Sequence, residues 1–104
     1  MLREASTPGD VLKHEYLIPT GISAGKLAEA LDVDKGIVSR IINGKCAVTA
    51  NLALRLGKVL GTTPQFWLNL QCQHDVSLAK ADPKLVAKLD KLSPMFPSSE
   101  QYDD

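Results

Sequence analysis

Residues 24–43 read AGKLAEALDVDKGIVSRIIN, and this stretch decides the fold. Leu27, Ala28 and Leu31 recur at the spacing of one helix face. After a break at Asp32-Val33-Asp34, Ile37, Val38, Ile41 and Ile42 repeat that spacing. Ser23 and Asp34 stand at the two helix starts, where a short side-chain oxygen accepts from a free first-turn amide. Asn43-Gly44 ends the second helix, because glycine takes the left-handed conformation without penalty. Asp32 occupies the turn position where glycine is common, and aspartate tolerates the same conformation at modest cost. Leu27, Leu31, Val33, Val38 and Ile41 form the inward set, and Ala28 is small where the helices must cross closely. The stretch therefore predicts two short helices joined by a tight turn. On residue pattern alone, any tightly packed helical hairpin remains the alternative.

Similar punctuation extends outward. Thr7-Pro8 offers an N-cap and a first-turn proline for a first helix carrying Val11, Leu12, Tyr16 and Leu17, with Pro19 expected to stop it. Thr49 caps a fourth helix, with Leu52, Leu56, Val59 and Leu60 as its apolar stripe and Gly61 as its end. Thr63-Pro64 opens a fifth, running into the seventies. Asp82-Pro83 opens a sixth, with Leu85, Leu89 and Leu92 on one side and Lys84, Lys88 and Lys91 on the other. No segment alternates apolar and polar residues as a strand does. The expected class is all-α: a five-helix domain over 8–80 and an amphipathic helix over 82–92. Residues 93–104, SPMFPSSEQYDD, hold three acids and no base, and are expected to form a disordered acidic tail.

The 104 residues suit one domain, and 44% hydrophobic with 23% charged residues suits a soluble globular chain. No apolar run approaches the ~18 residues of a membrane span, and MLREASTPGD lacks the apolar stretch of a secretory signal. A cytoplasmic location without membrane attachment is the expectation. Cys46 and Cys72 are too few for a disulfide framework. The 12 basic and 12 acidic residues cancel, but residues 35–74 contain no Asp or Glu and carry Lys35, Arg40, Lys45, Arg55 and Lys58. A basic face of this kind favours a polyanion partner, with chance placement as the alternative. Enzymatic readings find little support. His14 and His74 have no acid or nucleophile at a motif spacing. Cys72 and His74 diverge by ~200° on a helix and cannot chelate one ion together. No catalytic residue, metal or cofactor is expected.

Two crossed helices of this form present the second one to the major groove of DNA. The wider run ISAGKLAEALDVDKGIVSRIINGK, followed by LALRLGKVLGTTPQFWLNLQ, resembles the Xre/Cro-type helix-turn-helix family. More narrowly it resembles the HigA-type antitoxins. Pro8-Gly9-Asp10, Val38-Ser39-Arg40, Asn43-Gly44-Lys45 and residues 63–71, TPQFWLNLQ, carry the resemblance. It implies a dimeric repressor that binds operator double-stranded DNA ahead of its own operon and neutralises a HigB-type mRNA endonuclease toxin. A solitary phage-type repressor without a toxin is the alternative, and an adaptor that no longer binds DNA is a third reading.

Carried over by position, the resemblance makes residues 34–42 the recognition helix. Asp34, Lys35 and Gly36 lie at its start, Ser39 and Arg40 a turn later. Arg40 suits a bidentate pair with guanine. Asp34 suits either an N-cap or an acceptor from cytosine. Ser23, Lys26, Asn43 and Lys45 are the expected phosphate clamps. The fifth helix is apolar on opposite sides, which predicts a homodimer interface at Phe66, Trp67 and Leu70. The alternative is that helices one and six cover it within the chain.

Overall fold

The computed structural model describes residues 7–96, and among them every regular element is helical. Six helices follow one another. α1 is continuous through three segments, Pro8–Val11, a wider π-helical stretch Leu12–Leu17, and a last turn Ile18–Thr20. α2 spans Ala24–Leu31, α3 Lys35–Ile42, α4 Ala50–Leu60, α5 Pro64–Lys80 and α6 Pro83–Leu89.

Each helix starts where a capping oxygen stands. Thr7 and Asp10 form a reciprocal capping box at α1, and Ser23, Asp34, Thr49, Thr63 and Asp82 cap the other five. Besides α1, three helices end through a left-handed residue, Asp32 (φ 59°) after α2, Gly44 (φ 71°) after α3 and Gly61 (φ 74°) after α4. In each case the next amide reaches back five residues. Val33 N–H donates to Ala28 at 3.0 Å, Lys45 to Arg40 at 2.7 Å and Thr62 to Gly57 at 3.1 Å. Asp32 is the one non-glycine residue with positive φ among the described residues. The turn between α2 and α3 thus carries a modest strain, as the sequence predicts.

α1 departs from expectation. Pro19 does not stop it; the helix runs to Thr20 and ends at Gly21, which is left-handed (φ 73°). A proline ring inside a helix collides with the carbonyl four residues back, here Glu15. The π-helical stretch before it winds wider, with the Ile18 N–H donating to Lys13, and this relieves the collision. Thr20 also donates its hydroxyl to the Tyr16 carbonyl.

The core joins α1 to α5. Leu12, Val38, Ala53, Leu56 and Trp67 are fully buried, with Leu27, Ala28, Leu31 and Ile41 almost so. Trp67 donates its indole N–H to the Thr62 hydroxyl at 2.7 Å, and its ring lies tilted against Tyr16 and edge-on to Phe66. Trp67 is therefore a core residue of the single chain and has no surface to offer a partner, contrary to its expected place in a dimer interface. Its large apolar area favours burial, and Thr62 satisfies the indole N–H that burial removes from water. Val59, expected on the buried stripe of α4, is 39% exposed.

Toward its end α5 becomes mostly exposed, although His74, Asp75 and Leu78 still line a cavity with Thr7, Pro8 and Gly9. Val76 and Leu78 are exposed, and α6 packs chiefly on α5. α6 is shorter than expected: its last two residues of predicted helix, Lys91 and Leu92, make only tight-turn bonds. Its leucine stripe is largely open, with Leu85 half-buried and Leu89 and Leu92 exposed. Of the expected tail, residues 93–96 are exposed and 97–104 lie outside the described residues.

Candidate nucleic-acid interface

The hairpin of α2 and α3 is held from three directions. Inside, Leu27, Ala28, Leu31, Val38 and Ile41 pack together. From the α1 side, Gly9 lets two helices touch backbone to backbone: a methyl group there would lie 2.0 Å from the Ile41 carbonyl oxygen. From the α4 side, Arg55 donates from Nη1 to the carbonyls of Leu31 (2.8 Å) and Asp32 (3.1 Å), and from Nε to Asn51 (2.6 Å). These carbonyls belong to the C-terminus of α2 and to its left-handed turn. The sequence pattern places Arg55 on a basic face, but its guanidinium is committed to the fold. The Asn51/Arg55 pair, four residues apart on one helix, was the available signal.

The starts of α2 and α3 come together at the surface. Ser23 Oγ accepts from the Lys26 amide at 3.1 Å and Asp34 Oδ2 from the Gly36 amide at 3.1 Å. The Lys35 stem lies along the first turn of α2: a methyl group on Gly25 would meet Lys35 Cδ at 3.8 Å and Ser23 Oγ at 4.0 Å. Arg40 folds back toward the start of its own helix, where a methyl group on Gly36 would meet its Nη1 at 3.3 Å and Asp34 Oδ2 at 3.0 Å. Ser23, Lys26, Asp34, Lys35 and Arg40 are exposed, while Gly36 and Ser39 are half-buried. One surface thus gathers two helix N-termini and three cationic side chains. Helix N-termini carry free amides and partial positive charge, so such a surface attracts phosphate oxygens. Of the two roles open to Asp34, the N-cap is present in the fold.

Asn43 and Lys45 are exposed on the loop that follows α3, at the far end of that helix. The loop is fastened to α5 by Gln71, whose Oε1 accepts from the Val48 amide at 2.8 Å and whose Nε2 donates to Asp75 at 3.0 Å. Gln71 belongs to the TPQFWLNLQ run, yet its loop-fastening role had no signal in the sequence, because the bond spans 23 positions. Cys46 on the same loop is half-buried and Cys72 exposed. Among the described residues no group of three His, Cys, Asp or Glu side chains is placed to hold a metal ion. Nor is any helix there long and apolar enough to cross a membrane.

Phe66 is 39% exposed, and Leu70 is half-buried and packs against the core, so both keep some open surface that Trp67 lacks.

Comparison with known proteins agrees with this geometry. The family model described as Helix-turn-helix matches residues 14–67. The chain is 46% identical over 74 residues to the Escherichia coli uncharacterized HTH-type transcriptional regulator YbaQ, covering 71% of this chain and 66% of that protein, just under two thirds of its length. It is 40% identical over 99 residues to the antitoxin HigA-1 of Vibrio cholerae, covering 95% of this chain and 91% of that one. The solved structure of Pseudomonas aeruginosa antitoxin HigA with the higBA promoter superposes with a TM-score of 0.77 at 33% identity, over 89% of this chain and all of the other. These relatives are named as regulators and antitoxins, not as enzymes. The chain therefore belongs to the Xre-type helix-turn-helix family, in the group of the HigA-type antitoxins.

Proposed function

We propose that this chain is an antitoxin that binds operator DNA as a homodimer, represses its own operon in the cytosol, and neutralises a HigB-type ribonuclease. The observation that carries the DNA part is the joint surface of two capped helix starts with Lys26, Lys35 and Arg40 around them. α3 enters the major groove; Asp34, Lys35, Gly36, Ser39 and Arg40 face base edges and the near phosphates, with Arg40 on guanine. Ser23, Lys26, Asn43 and Lys45 grip the backbone on either side. The P. aeruginosa HigA relative, with its promoter DNA, supports this docking by likeness. Phe66 and Leu70 supply the dimer contact. The open leucine face of α6 and the exposed side chains Lys13 and His14 of α1 remain for the toxin, because neither belongs to the DNA surface. Co-expression tests the antitoxin role. If the product of the adjacent reading frame arrests growth and this chain restores it, the reading stands. If the neighbour is harmless and the chain still binds an operator, it is a solitary repressor.

A further inference from the structure

We propose that Arg55 is a positioning residue for the recognition helix, a clamp that holds the left-handed turn at Asp32 closed and so sets the angle between α2 and α3. The proposal rests on the operator-binding reading above. α2 carries Ser23 and Lys26, and α3 carries Lys35 and Arg40. The two groups can meet one stretch of DNA only if the angle between their helices is held. That angle is set at a three-residue connection, Asp32-Val33-Asp34, whose first residue is a non-glycine at φ 59°. Such a conformation disfavours a side chain with a Cβ, so the turn needs support from outside. Arg55 provides it. One guanidinium nitrogen takes both carbonyls that flank the strained residue, and Nε is anchored on Asn51 of the same helix. Both carbonyls lie at the negative end of α2, where a cation is favoured. The planar fork fixes the geometry, which the single ammonium of a lysine does not.

Arg55 is thus withdrawn from DNA while governing how DNA is met, and this separates it from Lys26, Lys35 and Lys45. Losing a phosphate clamp, which a substitution removes from both protomers, lowers affinity for every duplex and reduces the salt slope by about two. Losing the clamp at the turn lowers affinity only for the duplex that needs the correct helix angle, and it leaves the salt slope intact.

The full-length chain is first used to select its preferred duplex from a random library. Arg55→Met, Arg55→Lys and Arg55→Met/Asp32→Gly are then titrated against that duplex and a scrambled one at two salt concentrations, with circular dichroism confirming that each is folded. Arg55→Met is expected to lose about tenfold in affinity for the selected duplex, the scale of a charge-assisted hydrogen bond, with scrambled-duplex binding and salt slope unchanged. Arg55→Lys should fall between. Asp32→Gly should recover about threefold in the Arg55→Met background, since glycine favours the left-handed turn without a clamp. Unchanged discrimination in folded Arg55→Met, a salt slope reduced by about two, loss at a single base pair, or no recovery with Asp32→Gly would each overturn the proposal. If Arg55→Met does not fold, unchanged discrimination in Arg55→Lys overturns it equally. Should the unaltered chain select no duplex, the operator-binding reading fails first, and the proposal fails with it.

Discussion

A methyl group at Gly9 has nowhere to go, since both the residue and its neighbour, the Ile41 carbonyl 2.0 Å from that methyl position, sit on helix backbone. Gly9→Ala should therefore destabilise the fold by about 2 kcal/mol or more, the cost of overpacking a tight contact. Chemical denaturation of the two chains checks it; an unchanged midpoint would show that α1 and α3 can move apart freely. At the proposed DNA surface, single residues are separable by kind. Arg40→Ala should lose ~1–3 kcal/mol of discrimination at one base position, whereas Lys45→Ala should weaken binding to all duplexes alike. Titration against operator variants distinguishes these outcomes. The caps and the left-handed Asp32 were legible in the sequence because they follow from local backbone chemistry. The long-range bonds of Arg55 and Gln71 were not, because those partners lie 23 or 24 positions away and a side chain's long-range target leaves no periodic trace; only the local Asn51/Arg55 pair was visible.

At the scale of elements, periodicity placed all six helices, and the errors cluster where local signals compete with packing. Pro19 is a strong stop by itself, yet a π-helical stretch absorbed it. Trp67 lay on an apolar side of α5 that suited either a core or a partner, and the core took it. This separates two substitutions on one helix. Trp67→Ala should cost about 3–5 kcal/mol in stability, the usual range for removing a buried aromatic. Phe66→Lys, at a position 39% exposed, should leave the fold in place and convert a dimer to a monomer. Sedimentation at micromolar concentration reads the difference: about twice the 11.2 kDa chain mass for the unaltered protein and one chain mass for Phe66→Lys. If the unaltered chain is already a monomer, α5 is not an interface. α6 poses the matching question for the toxin. A chain ending at Ala81 keeps every buried residue and both helix starts of the DNA surface, so operator binding should persist while toxin affinity falls. Full toxin affinity after truncation would move neutralisation to α1.

For the whole molecule, the account requires two recognition helices set roughly 34 Å apart on an inverted-repeat operator. The net charge of zero hides this, because Lys35, Arg40 and Lys45 of the proposed DNA surface fall in the acid-free stretch of residues 35–74, while the acidic surplus lies beyond residue 70. Attraction to DNA is therefore local and should be steep in salt. With Lys26, Lys35 and Lys45 contributed by each protomer, about six phosphates are neutralised, which corresponds to a slope of about −5 in log affinity against log salt. The central claim meets its most direct test in one titration of the full-length chain, over a range of salt, against a duplex selected by it and a scrambled duplex of equal length. The account predicts a slope near −5 for the selected duplex and a preference for it of at least about a thousandfold at physiological salt. Equal affinity for the two duplexes, or binding indifferent to salt, would contradict it.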